Sequence, residues 1–404
     1  MSIQNTADVF FQLPILSTPR PNGSRALAGA VEGVQGWLEA RGIPVTSHEF
    51  VLRPYFMELL GLWLAVVGLL LPVAALGSWG WVGLVLALLA VAVPLLEVRF
   101  LYPVVTDLVR QKARNLVVRF AVPQPRQEVL LCAHMDSKTE LLDHAQREIL
   151  LRLGRPAMGL ALVAGASMAA ESLLATGTAS RTAHWLAFLA ALPVAVYGLG
   201  MGANLVGGRF SRQPSSGAVD NGAAVAVLLD LARQLHQGSP SLDHTAVTLL
   251  FTVGEEDQMQ GALAYVRRAC GPGREDWPLP TCAINLEVVG QDGGYLLWEQ
   301  DGTAMRRLPA DITLNYALAR AVEAVAGQPP VRASAINSDA FAFLRRGIPA
   351  ATLGSLDTQL GGRGLHSALD APGRVDPGRL AETTRVLVHL LAEMDGDTSQ
   401  MSAG

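Results

Sequence analysis

The apolar run LLCAHMDS at residues 130–137 ends in a histidine and an aspartate, two side chains able to do chemistry. Residues at strand ends in an α/β sheet point into the crevice where ligands bind. His134 is therefore a candidate metal ligand. Asp136 could accept the other imidazole N–H and fix its tautomer. A structural histidine is the simpler alternative. In SSGAVDNGAAVAVLLDLAR, residues 215–233, Asp220 and Asn221 occupy a small-residue turn that opens an apolar helix. Asp220 is either a helix cap or a carboxylate whose two oxygens serve cations about 3.5–4 Å apart. In VTLLFTVGEEDQMQGA, residues 247–262, two glutamates follow an apolar strand directly. Their mutual repulsion there calls for a cation. Metal-assisted hydrolysis needs one of them as a ligand and one free to take a proton from water. Glu287 lies inside the apolar run CAINLEVVG, where an unpaired carboxylate is costly. His366 sits in GGRGLHSALD with Asp370 four residues on. A lone loop histidine is ordinarily just solvated. His, Asp, Glu, Glu and His in this order, each beside a strand end, point to a shared centre.

The elements that position these residues must be separated from a large apolar excess. Of 404 residues, 50% are hydrophobic and only 16% charged, and the mean hydropathy is positive. That is too apolar for an ordinary soluble enzyme of this length. The excess lies in two blocks, 56–98 and 157–206, each readable as two helices around a short turn. Spans of roughly 20 residues match a bilayer, so each block is a predicted transmembrane hairpin. The alternative is buried core helices. Small residues at Gly159, Gly165, Ala166 and Ala170 suit packing between membrane helices, and Glu171 is expected to face a partner or the interface. Arg53, Arg99, Arg110, Lys112, Arg152, Arg155, Arg209 and Arg212 flank the ends away from the turns, which carry only Arg181. By the positive-inside rule the polar domain is cytoplasmic, in a multi-pass protein of the cell (inner) membrane. A net charge of −4 and the lack of a basic run make nucleic acid an unlikely partner. Cys132, Cys270 and Cys282 form no metal-ligand pattern and no disulfide framework.

The remainder alternates strand and helix patterns, as in an α/β sandwich. Expected strands are 115–120, 128–133, 246–252, 282–288, 294–297 and 350–353; expected helices are 31–41, 223–235, 261–268, 312–326 and 377–394. The predicted organisation is one discontinuous domain (1–55, 99–154 and 209–396), hairpins at 56–98 and 155–208, and a disordered tail at 397–404.

Six ordered blocks, HMDS, GAVDNGAA, GEED, NLEVVG, SDAFAFLRRGIPA and LHSALD, resemble the di-zinc aminopeptidase and glutamate carboxypeptidase family (peptidase family 28 type), which also contains glutaminyl cyclases. The blocks span residues 130–370, and both hairpins fall outside the shared pattern. The resemblance implies a mixed-sheet α/β/α zinc-peptidase sandwich with two Zn2+ per chain, into which the two predicted hairpins insert four transmembrane helices. It places His134 and Glu287 on one zinc, Glu256 and His366 on the other, and Asp220 between them. Glu255 becomes the general base, Asp136 the partner of His134, and Asp339 a residue on the substrate side; the Asp220-Asn221 peptide is expected to be cis. Glu287 stands where relatives more often have Asp, and Leu365 where many have a Tyr that stabilises the tetrahedral intermediate. His134 and Asp220 are unusually far apart in sequence because the second hairpin is inserted there, so the active site is expected near the membrane surface. The implied activity is a membrane-bound zinc metallopeptidase, most simply an aminopeptidase that uses a metal-activated water. Its substrate is a peptide or an N-acylated, lipid-like amide. The alternatives are a single-zinc cyclase-like enzyme and a non-catalytic membrane scaffold; a transporter is weaker, because charged or broken helices at mid-membrane are nearly absent.

Overall fold

The computed structural model describes residues 6–142, 144–174, 176–271, 279–333, 337–358 and 364–396, and the predicted disordered tail at 397–404 lies outside them. The chain divides into two compact units, one of residues 1–54, 110–138 and 215–404 and one of residues 55–109 and 139–214.

Among the described residues the first unit has ten strands. They are β1 (Thr46–Leu52), β2 (Gln111–Phe120), β3 (Gln127–His134), β4 (Thr245–Thr252), β5 (Cys282–Leu286), β6 (Tyr295–Trp298), β7 (Gln300–Thr303), β8 (Arg306–Pro309), β9 (Val331–Ala333) and β10 (Ala350–Ser355). Eight form a mixed sheet in the order β1-β2-β4-β3-β5-β10-β6-β9, and β7-β8 stand apart as a hairpin. The central strands β4, β3, β5 and β10 are parallel. Every residue of β3 and β4 is buried, which explains why both read as unbroken apolar runs rather than alternating ones. The helix Ala223–His236 buries its AAVAVLLDLA run in the core beside β3. Helices Ile312–Ala326 and Pro377–Gly396 complete that layer. Leu131 sits mid-strand in β3 with no solvent exposure. Leu131→Ala should therefore cost about 2–5 kcal/mol, read as a lower denaturant midpoint; an unchanged midpoint would contradict this packing.

Several elements differ from expectation. Strand β1 was not predicted, because the edge strand TSHEFVL mixes polar and apolar side chains, with His48 buried and Val51 exposed. The short strands β7, β8 and β9 were likewise missed. The first long helix begins at Arg25 rather than 31, capped by Ser24, whose Oγ accepts from the Leu27 N–H at 3.1 Å. Its opening Ala/Gly-rich turns lack the bulky apolar spacing that marks a helix.

The second unit is helical. Phe56–Leu76 and Gly80–Pro94, the latter extended to Arg99 by a π turn, form one pair; His144–Leu173 and Thr178–Gly207 form the other. Four helices among the described residues are long and apolar enough to cross a membrane. Glycines let Phe56–Leu76 and Thr178–Gly207 approach closely: a Cβ at Gly198 would lie 2.3 Å from the Leu64 carbonyl oxygen. Glu171 accepts from Ser78 Oγ at 2.8 Å and lies 3.1 Å from His184 Nδ1. The sequence-based boundaries need correction. Tyr55 and residues 99–109, 139–154 and 209–214, assigned to the polar domain, group with the helices. The third helix runs through the charged segment QREILLRLGR without an apolar signal there, helped by a Glu148–Arg152 pair one turn apart at 3.3 Å.

Candidate metal centre

The parallel strands bring the chemistry-bearing residues to one edge of the sheet. His134, the last residue of β3, is in register with Thr252, the last of β4. Glu255 and Glu256 follow β4 after a turn at Gly254, whose φ of +85° suits glycine. Glu287 follows β5 directly. Asp220 lies in the irregular turn before Ala223–His236, and His366 lies in the segment after β10. The Asp220-Asn221 peptide is cis.

Two three-residue groups result, His134–Asp220–Glu287 and Asp220–Glu256–His366, all of them buried. Asp220 uses one oxygen for each: Oδ1 is 3.2 Å from His134 Nε2, and Oδ2 is 3.3 Å from His366 Nε2. Glu287 Oε1 is 3.1 Å from His134 Nε2, and Glu256 Oε2 is 3.2 Å from His366 Nε2. Tetrahedral zinc with ligands at about 2.0–2.1 Å separates those ligands by about 3.3–3.4 Å. The donor chemistry and spacing therefore fit zinc at both groups. Glu255 belongs to neither; its Oε2 is 3.8 Å from His134 Nε2, and its buried Oε1 has no hydrogen-bond partner.

Asp136 stands beside the imidazole, as expected, and has a second role. His134 Nδ1 is 3.1 Å from the main-chain carbonyl of Asp136 and 3.6 Å from its carboxylate. That carboxylate also accepts from the N–H groups of Gly254, Glu255 and Glu256 at 2.9, 3.3 and 3.1 Å, and from Asn22 Nδ2 at 2.9 Å. It thus anchors the turn that carries both glutamates. Asn221 does the same for Glu287: its Nδ2 donates to the Leu286 carbonyl at 2.7 Å, and its Oδ1 accepts from the Val288 N–H at 3.2 Å. Val288 has a φ of +54°, a rare conformation for a β-branched residue. Asn285 Nδ2 donates to Glu287 Oε2 at 3.0 Å. Asp370 holds the His366 segment to the Asp220 turn, accepting from Ser215 Oγ and the Val219 N–H at 2.9 and 2.8 Å. Asp339 is fully buried and accepts a short hydrogen bond from Thr252 Oγ1, while its Oδ1 has no partner. Leu365 packs against the core.

The crowding of acids shows in proton affinity. Burial raises Glu255 well above the carboxylate range; His134 opposes this, and Glu287, Glu256 and Asp339 reinforce it. Burial lifts Glu287 to about 7 despite the neighbouring His134, with Asp220 adding to the rise. Burial works against charge on His134, but Glu287, Asp136 and Asp220 outweigh it and raise its pKa. Burial and its neighbours leave Asp339 and Asp370 at about 6. Asp220 is lowered: burial opposes its charge, and the two histidines prevail.

Sequence reasoning did not find Asn22, Asn221 as a side-chain clamp, Asn285 or Arg20. Asn285 had a signal, as an amide two residues before Glu287 in an apolar strand. The others lie in polar turns, where nothing marks a residue that binds main-chain groups.

Comparison with known proteins places this geometry. No curated protein matches the sequence. Among solved structures, a Zn-dependent exopeptidase from Parabacteroides distasonis is similar with a TM-score of 0.56 and 14% identity, over 96% of this chain and 97% of that one. Porphyromonas gingivalis glutaminyl cyclase gives 0.53 and 14%, over 97% and 100%. A leucine aminopeptidase precursor from Bacteroides thetaiotaomicron gives 0.52 and 14%, over 95% and 96%. The chain thus has the fold these proteins share, and its residues 201–391 match the profile of peptidase family M28.

Proposed function

We propose that this protein is a membrane-bound, zinc-dependent hydrolase of amide bonds, acting as an aminopeptidase. The observation that carries the reading is Asp220, whose two oxygens each serve a separate, buried histidine–carboxylate group. His134, Asp220 and Glu287 would hold one zinc, and Asp220, Glu256 and His366 a second. Zinc in such a site lowers the pKa of water toward 7 and polarises a substrate carbonyl. Glu255 is the base: it is the one acid of the set outside both groups, and its buried Oε1 is unengaged. Its raised proton affinity suits a group that takes a proton from the attacking water and hands it to the leaving amine. Asp136 holds Glu255 in place through the peptide N–H groups of its turn.

Asp339, with an unengaged buried oxygen, supports a substrate that carries a free ammonium group. The substrate is a peptide, or an N-acylated amide drawn from the lipid bilayer that the four apolar helices would occupy. The basic residues flanking those helices support a cytoplasmic catalytic unit at the inner membrane. A single-zinc glutaminyl cyclase shares the fold, but two complete ligand groups favour two ions.

Zinc uptake by the metal-free protein tests this. Glu287, at about 7, and His134, raised, hold protons that zinc must displace. Lower pH keeps both residues protonated, so apparent affinity at the His134–Asp220–Glu287 group should rise from pH 6 to pH 8, with proton release seen by calorimetry in buffers of different ionisation enthalpy. An affinity independent of pH over that range would refute ligation by these residues.

A further inference from the structure

Arg20 has no solvent exposure, and its guanidinium is spent on main-chain carbonyls. Nε donates to Met135 at 2.7 Å, and Nη2 to Gly217 at 2.8 Å. Nη1 donates to Ile15, Thr18 and Ser216 at 3.1, 2.7 and 3.1 Å. The main chain adds a reciprocal pair: the Arg20 N–H donates to Ser137 Oγ at 2.8 Å, and the Ser137 N–H donates to the Arg20 carbonyl at 3.1 Å. One side chain thus ties together three stretches of sequence, 15–20, 135–137 and 216–217. The join is tight. A Cβ at Gly217, where φ is +65°, would lie 2.9 Å from Arg20 Nη2 and 2.3 Å from Ser137 Cβ.

Two of those stretches carry metal-centre residues. Met135 lies between His134 and Asp136, and Gly217 is three residues before Asp220. The Gly217 carbonyl that accepts from Arg20 also accepts from the Gly222 N–H at 2.9 Å, closing the turn that contains Asp220. Burying a guanidinium is costly unless its donors are satisfied. Here carbonyls accept from all three guanidinium nitrogens, and the carboxylates of Asp370, Asp136 and Asp220 favour its charge against the cost of burial.

We propose that Arg20 is a positioning residue for the metal centre: its guanidinium ties the main chain beside His134 to the main chain ahead of Asp220, and so sets the separation of the imidazole and the bridging carboxylate. A lysine keeps the charge but not the planar fork that reaches several carbonyls at once. This inference rests on the two-zinc reading above.

The test uses the full chain in detergent and measures zinc affinity by competition with a chromophoric chelator. In wild type, Arg20→Lys and Arg20→Ala, melting temperatures are recorded alongside. Supporting tie residues around zinc are worth about 10–100-fold in affinity, and a loss of that order is expected in both variants. Guanidinium ion added to Arg20→Ala should recover part of it, and ammonium ion should not. If Arg20→Ala does not fold, Arg20→Lys carries the test, since it keeps the buried charge. Folded variants with wild-type zinc affinity and a lower melting temperature would overturn the proposal, showing a purely structural role. A wild-type protein that takes up no zinc would overturn the metal-centre reading itself, and the role of Arg20 with it.

Discussion

Glu255→Gln should keep its metal and its fold and lose about 10²–10⁴-fold in hydrolysis of an aminoacyl amide, the range expected for removing a general base. The substitution keeps the side chain's size and its ability to lie beneath the Asp136-anchored turn, since that anchoring runs through the main-chain N–H of residue 255. What it removes is the ability to take up a proton. Zinc content and melting temperature should match wild type. A variant that loses zinc instead would show that Glu255 is a ligand, and the roles of the two adjacent glutamates would have to be exchanged.

The second large effect concerns metal content. Each candidate metal group has its own histidine and its own glutamate, and Asp220 belongs to both. His366→Ala should therefore lower zinc from about two ions per chain toward one, because the His134 group keeps its three members. Asp220→Ala should lower it toward none. It removes a ligand from each group. Activity should fall to background in both. Elemental analysis of detergent-purified protein decides the matter: equal zinc loss in the two variants would deny the bridging role, and one ion per chain in wild type would favour the single-zinc alternative.

Much of this centre was legible because its residues follow strands buried on both faces. An unbroken apolar run ending in a polar residue is a strong signal, and β3 before His134, β4 before Glu255 and β5 before Glu287 each carry it. What surrounds them was not legible. Asp136 was read as a partner for the imidazole two residues before it, but its carboxylate also takes peptide N–H groups more than a hundred positions away. Asn221 and Arg20 likewise act on main-chain atoms of distant segments. A bond to the main chain needs no particular residue type at its other end, so no sequence pattern reports it. The edge strand β1 was missed for a related reason: its seven residues alternate without a dominant apolar face, and pairing with β2 is what makes it a strand.

The register of β1 against β2 and the tie made by Arg20 bear together on how the helices joined this chain. Residues 55–109 depart just after Leu52 and return just before Gln111, and those two residues are paired across the antiparallel strands. Residues 139–214 depart just after Ser137 and return just before Ser216, and both are hydrogen-bonded to Arg20. Each helical pair is therefore grafted at a point where the sheet-bearing unit already closes on itself. Closing such a point with a handful of residues costs little more or less than closing it with seventy, because loop entropy grows only with the logarithm of length. A lineage could gain or shed either graft without reopening the sheet. The same economy makes a helix-free version, with each graft replaced by a short polar turn, the natural starting point for a water-soluble form of this enzyme.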